Sequence, residues 1–233
     1  MNANSEASQQ LAGAWNSFLT KNNFDFKVIR EIDLAGAVPL IKDASGNKFA
    51  IDFVGNKTNY SKKKAGISTE LIGRAMGAGR HGKRVLDLSA GLGIDAVFLA
   101  QLGFSVVAVE RNPLIWLSLN EALKQSHLDI EFVFGEALSV LAESKIEADI
   151  IYFDPMFPEK SKSALPRQEM VFFKKLVGGD EDSVAVLQKS LQQQGVKRVV
   201  VKRPLKAPFL GERKPQSSLK GKLIRFDIYG VKS

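Results

Sequence analysis

From Arg84 to Phe153 the chain alternates short apolar runs of strand length with segments of helical period, and this alternation limits the possible folds more than any other feature. Strands are predicted over 84–88, 105–109, 130–134 and 149–153, with helices over 93–101, 113–126 and 136–144 between them. Pro113 suits the first turn of its helix. Strands joined through helices must run parallel, and burying both their faces requires a helix layer on each side, so the expected fold is a doubly wound α/β sheet. A helix over 68–76 precedes the series. Helical patterns through Phe172 and from Val184 to Gln193 follow it, leading to a strand at Arg198–Lys202. The last strand, 223–229, follows a connection too short for a crossover helix and is expected to enter antiparallel.

The first sixty residues have a different pattern. Leu11, Ala14, Trp15, Phe18 and Leu19 recur at helical spacing after Ser5, a good cap, and short strands are predicted over 26–32, 37–41 and 48–54. Residues 1–60 are therefore expected to form a small α/β appendage, and 61–233 the main domain, divided at the polar loop 55–64. There is no cysteine, and only His81 and His127 could supply imidazole, so no metal site is expected. No signal-like N-terminus and no apolar run of the ~18 residues that span a bilayer is present, which suggests a soluble cytoplasmic protein with no membrane partner. The net charge of +8 favours an anionic partner.

Two strand ends carry the chemistry. After the first strand comes Asp87-Leu-Ser-Ala-Gly91-Leu-Gly93-Ile-Asp95, whose small residues let a ligand approach the backbone while the following helix points amides at it. Glu110 ends the next strand, where a carboxylate can accept both hydroxyls of a ribose. Gly91-Leu-Gly93-Ile-Asp-Ala96 also fits a dinucleotide pattern. Asp87 and Asp95 favour S-adenosylmethionine instead, because a carboxylate at Asp87 can attract the amino group of a methionine moiety but repels a pyrophosphate, and Asp95 adds negative charge where phosphates would sit. Glu136 and Ala137, after the third strand, occupy the place where such folds contact adenine, although Glu136 also suits the first turn of its helix.

The fourth strand ends in Asp154-Pro-Met-Phe-Pro158. An exocyclic amine on a nucleobase is a poor nucleophile because its lone pair is delocalised into the ring. Acceptors that hold both its hydrogens can aim that pair at a methyl group. Asp154 offers a carboxylate, Pro155 a carbonyl, and Phe157 a platform for a base taken out of its stack. Read as structure alone, the same residues would be a turn after a strand with Phe157 in the core.

Together with Glu110-Arg-Asn-Pro113, Lys160-Ser-Lys-Ser-Ala-Leu165, Val201-Lys-Arg-Pro204 and Arg225-Phe-Asp-Ile-Tyr229, these motifs resemble the ribosomal RNA small subunit methyltransferase J family over about residues 50–230. The resemblance implies a class I methyltransferase sheet of the seven-stranded type, S-adenosylmethionine as donor, and guanine N2 of 16S ribosomal RNA, free or in the small subunit, as acceptor. It implies donor contacts at Ile94, Asp95, Glu110, Arg111, Glu136, Ala137 and Asp154. Ser89 departs from the glycine that general methyltransferase signatures carry there. The chemistry alone would admit adenine N6; the resemblance is what selects guanine.

Charge supports a polynucleotide. Beyond Lys197 basic residues are opposed only by Glu212 and Asp227. Lys62, Lys63 and Lys64, then Lys160 and Lys162, then Lys202, Arg203 and Lys206 form three basic segments that could converge on phosphates at the carboxyl edge of the sheet. A monomer is expected. Competing readings are a non-catalytic RNA-binding protein on the same scaffold and a small-molecule methyltransferase or dehydrogenase.

Overall fold

The computed structural model describes residues 6–54, 70–77, 83–143, 147–155 and 181–231. Its centre is a seven-stranded sheet built from β4 (Arg84–Asp87), β5 (Ser105–Glu110), β6 (Ile130–Phe134), β7 (Ile150–Phe153), β8 (Arg198–Pro204), β9 (Ser217–Lys220) and β10 (Ile224–Gly230), in the order β6-β5-β4-β7-β8-β10-β9. The first five pair in parallel, and β10 enters antiparallel between β8 and β9. The strand order turns back at β4, between β5 and β7. In such sheets the crevice at the carboxyl ends of these strands is where ligands bind.

Strand alternation sends the apolar side chains to two helix layers. Val85, Val106, Ile150, Tyr152 and Val200 face one side, with α3 (Ile94–Gln101) and α4 (Pro113–Lys124). Leu86, Val109, Ile151, Phe153 and Val199 face the other, with α5 (Ala137–Glu143) and α6 (Ser183–Ser190). Both α4 and its entry are set locally. The Asn112 side chain accepts from the amides of Leu114 and Ile115, and Pro113 occupies the first turn.

The N-terminal segment is α1 (Glu6–Lys21) and a small sheet of β1 (Ile29–Asp33), β2 (Leu40–Asp43) and β3 (Lys48–Phe49). It shares a core with the large sheet: Trp15, Leu19, Ile41 and Phe49 belong to the same buried cluster as Val106 and Leu119. Phe18 stacks on Trp116 at 4.9 Å, and Phe53 on Phe132 at 6.0 Å. The short helix α2 (Leu71–Ala75) lies within the predicted 68–76 and starts after an extended Glu70. The predicted strand over 26–32 starts instead as a 3₁₀ turn, because the Asp25 carboxylate accepts from the Lys27 amide and curls the chain. The Ser5 cap, the 55–64 loop and the helical pattern through Phe172 lie outside the described residues.

Candidate active site

The loop from β4 to α3 and the first turn of α3 form one wall of a cleft at the switch point. Gly91 adopts a φ of 54°, which glycine tolerates at little cost, and its amide donates to Glu110 Oε2 at 2.9 Å. Glu110 Oε1 accepts from the Asn112 amide at 2.7 Å, so the strand end and the helix start fix this carboxylate from both sides. Only 3% of Glu110 is exposed. Arg111 and Glu136 approach each other at 3.9 Å, and Ile94 leaves 45% of its surface open. Of the predicted donor residues, all but Asp87 and Gly93 line this cleft.

Those two exceptions have physical reasons. Gly93, at φ 74°, faces the core: a Cβ there would come within 2.8 Å of Leu119 Cδ2 and 2.9 Å of Phe53 Cζ. Its smallness serves helix packing rather than ligand approach. Asp87 is 1% exposed and sits behind the wall. Its Oδ1 accepts from the Ser89 amide and hydroxyl, at 2.9 and 3.2 Å, while Oδ2 is buried with no hydrogen-bond partner. Burial, reinforced by the negative charges of Asp95 and Asp154, pushes the carboxyl up to about 7.

Ser89 explains its departure from glycine. Its hydroxyl also accepts from the Asp154 amide at 2.7 Å, tying the donor loop to the end of β7. Asp154 and Pro155 are on the cleft wall, beside Lys202. The Lys202 ammonium lies 2.8 Å from Asp95 Oδ2 and 2.9 Å from Asp154 Oδ2. Burial alone would lower its pKa, yet the Asp95 and Asp154 charges hold it above the ordinary lysine value. Tyr152 donates its hydroxyl to Asp95 Oδ2 at 2.6 Å, and burial next to these carboxylates raises it well above the usual phenol, keeping it neutral. Sequence reasoning marked Ser89 only as a departure from glycine, without its bonds to Asp87 and Asp154, and gave no sign of Tyr152. It also misplaced Lys202, although alternation along β8 puts Lys202 on the same face as Val200 and hence towards α3.

Two of the predicted phosphate contacts need correction. Lys202 is committed to the carboxylates of the cleft. Arg203 is 3% exposed, its Nη2 donates to the Pro208 carbonyl at 2.6 Å, and burial brings its guanidinium down to about 10. Beside it, Arg225 grips Asp227 through Nε and Nη2 at 2.9 and 3.0 Å and reaches the carbonyls of Leu205 and Ala207, each at 2.8 Å. These buried arginines shape the loop after β8, which leaves Lys206 exposed. Lys62, Lys63, Lys64, Phe157, Lys160 and Lys162 lie outside the described residues.

The cleft therefore combines a carboxylate fixed at a strand end, a glycine whose backbone lines the wall, and further carboxylates at Asp95, Glu136 and Asp154. The two cations on the wall among the described residues, Arg111 and Lys202, are taken up by Glu136 and by Asp95 and Asp154, so the remaining negative charge suits a cationic ligand carrying a ribose better than a pyrophosphate. Among the described residues no group of three or more side chains could hold a metal, and no helix is long and apolar enough to cross a membrane.

Fold and cleft define the class of S-adenosylmethionine-dependent methyltransferases, and a family model described as putative SAM-dependent methyltransferase matches residues 34–231. A crystal structure of a SAM-dependent methyltransferase from Neisseria gonorrhoeae, 28% identical, superposes with a TM-score of 0.66 over 86% of this chain and 82% of that one. Proteins named ribosomal RNA small subunit methyltransferase J share 46% identity in Bdellovibrio bacteriovorus, over 82% of this chain and 77% of the relative. In Pseudoalteromonas atlantica the identity is 33%, over 96% and 93%. The chain belongs to this ribosomal RNA small subunit methyltransferase J family, as its motifs indicated, and its methyl donor is S-adenosylmethionine.

Proposed function

We propose that the chain methylates the exocyclic N2 of a guanine in 16S ribosomal RNA, acting in the cytoplasm as a monomer. One observation carries the reading: Asp154 and Pro155, at the end of β7, line the same cleft as Gly91 and Glu110. A donor bound by the β4–α3 loop would thus lie beside an acid and a proline carbonyl suited to hold an amine. The relatives named for ribosomal RNA support the substrate class.

Held there, S-adenosylmethionine would supply a methyl on a sulfonium, with sulfur keeping the C–S bonding pair as the amine lone pair takes the carbon. Glu110 would hold the ribose hydroxyls, with Ile94 and Ala137 as apolar contacts for the adenine. Asp95 and Asp154 share one ammonium, that of Lys202, and the negative charge left over would favour a cationic donor over its neutral product. Asp154 and the Pro155 carbonyl would accept the two amine hydrogens, and Phe157 would stack on the extruded base. The surplus proton leaves N2 through Asp154 or water. RNA phosphates would meet Lys206, together with Lys220 and Lys222, which are also exposed. Lys62, Lys63, Lys64, Lys160 and Lys162 would extend that surface.

The test is incubation of the protein and labelled donor with small ribosomal subunits from an unmodified strain, followed by nucleoside mapping. Label in N2-methylguanosine of 16S RNA is expected. Label in N6-methyladenosine, or none despite donor binding by calorimetry, would overturn the assignment.

A further inference from the structure

Lys202, expected from the sequence to meet RNA, stands on the cleft wall between two carboxylates. A surface lysine gains little from an ion pair, since water solvates the ammonium well and the side chain loses freedom. Lys202 differs: its side chain is only 22% exposed, and its two anionic partners come from different elements, Asp95 at the start of α3 and Asp154 after β7. The β-sheet register explains how. Phe153 pairs with Val201 across the parallel β7–β8 ladder, so the residue after Val201 reaches the level of Asp154.

We propose that Lys202 is a positioning residue for methyl transfer, which holds the Asp154 carboxylate in place as an acceptor for the amine and ties it to Asp95 on the donor side. The inference rests on the role proposed above for Asp154. Its physical basis is the crowding of acids. Facing Asp154 are Asp87 from the end of β4, Asp95 from α3 and the neutral Tyr152 from β7. Asp182 lines the same cleft at the start of α6. Among the described residues the cations acting on Asp154 include Lys202 and, turned towards the Pro208 carbonyl, Arg203. Asp87, buried from water and with no ammonium beside it, retains its proton up to about pH 7, burial being the larger cause and the charges of Asp95 and Asp154 adding to it. Asp154 feels the same crowding of acids but is 38% exposed and has Lys202 at 2.9 Å. A protonated Asp154 would offer a hydrogen where the amine needs an acceptor. Lys202 opposes that protonation and fixes where Oδ2 points.

The experiment compares wild type, K202M and K202R in single-turnover methylation of ribosomal subunits across pH 5.5–9, with donor binding measured by calorimetry. K202M keeps the length and apolar stem, and is expected to slow transfer about 10–100-fold at neutral pH, the usual worth of a hydrogen bond to a charged group. Its acidic limb should move to higher pH, while donor affinity changes far less. K202R should restore the limb to its wild-type position. In a D154N background, K202M should add little to the loss. If K202M proves unstable, D95N supplies the second arm: removing that negative charge should move the limb to lower pH. A limb unmoved in K202M, or in D95N, would overturn the proposal, as would a loss confined to donor affinity. If D154N itself keeps the wild-type rate, the reading of Asp154 fails instead, and the two failures are told apart.

Discussion

Two carboxylates on one cleft, Glu110 and Asp154, are held by different kinds of group. Glu110 is gripped by main-chain amides of Gly91 and Asn112, at the end of a strand and just before a helix, and is almost fully buried. Asp154 is reached by a lysine side chain, and its own amide rests on a serine hydroxyl. Amides on fixed elements cannot swing away, so the donor side is organised before any ligand arrives. Lys202 directs Asp154 through a side chain with four rotatable bonds, a hold that is firm in the resting cleft but can yield further than main-chain amides when a bulky base enters. The difference teaches which half of the site tolerates change: rigidity is built where the same cofactor returns every turnover, and side-chain contacts are used where a polymer must be admitted and released.

The largest effect should come from the acceptor side. Asp154→Ala is expected to reduce single-turnover methylation by about 10²–10⁴-fold, the range for a positioned acid or base, while calorimetry finds donor affinity little changed. A variant that lost donor binding in proportion would erase the contrast, since Asp154 would then be mainly a donor ligand. On the other side, Glu110→Gln should weaken donor binding by about 10–100-fold. The amide NH₂ would face a main-chain donor, and one charged acceptor for the ribose is lost. Its transfer rate at saturating donor should stay close to wild type, and a collapse of that rate would mean the two sides are not separable.

A third variant probes the polymer itself. Replacing Lys206, Lys220 and Lys222 with glutamine should weaken RNA binding about tenfold at moderate salt. It should also flatten the dependence of log K on log salt by about 0.7–0.9 for each phosphate contact removed. Methylation of saturating RNA should be unaffected. If the salt slope stays unchanged, the RNA lies elsewhere, with the basic segments around Lys62 and Lys160 as the next surface to vary.

The architecture was legible because parallel strands buried on both faces write continuous apolar runs, as Val106-Val-Ala-Val109 and Ile150-Ile-Tyr-Phe153 do. Strand β9 was not. Ser217-Ser-Leu-Lys220 has no apolar pattern and is a strand only because it pairs with the edge of β10. In the site, the glycine turn, Glu110 and the Asp154-Pro155 pair were readable as local motifs. The bridge through Lys202 was not, because its partners are 107 and 48 residues away in sequence, and only the register of β8 on β7 brings them together. Lys202 and Arg203 looked alike as a basic pair. Strand alternation sends them to opposite faces, one to a cleft and the other into packing.

The smallest expected effect tests a carboxyl that belongs to neither pattern. Asp87 has two contacts from Ser89 on Oδ1 but no partner on Oδ2, and burial raises it to about 7 from an ordinary 3.8. The folded protein therefore keeps a proton that the unfolded chain releases near pH 4. Between those values the native state binds more protons, so this group's contribution to stability falls as pH climbs from about 4 to 7 and stays low above. Asp87→Asn cannot ionise, so its melting temperature relative to wild type should rise between pH 5 and pH 8. Each kcal/mol is worth about 2–4 °C for a chain of this size. Saturating donor should shrink that difference at pH 8, because its cationic groups stabilise the ionised Asp87 of the wild type and gain nothing from asparagine. A difference independent of pH would mean that Asp87 is ionised throughout, held by main-chain contacts as firmly as Glu110, and that the donor side has no titrating member.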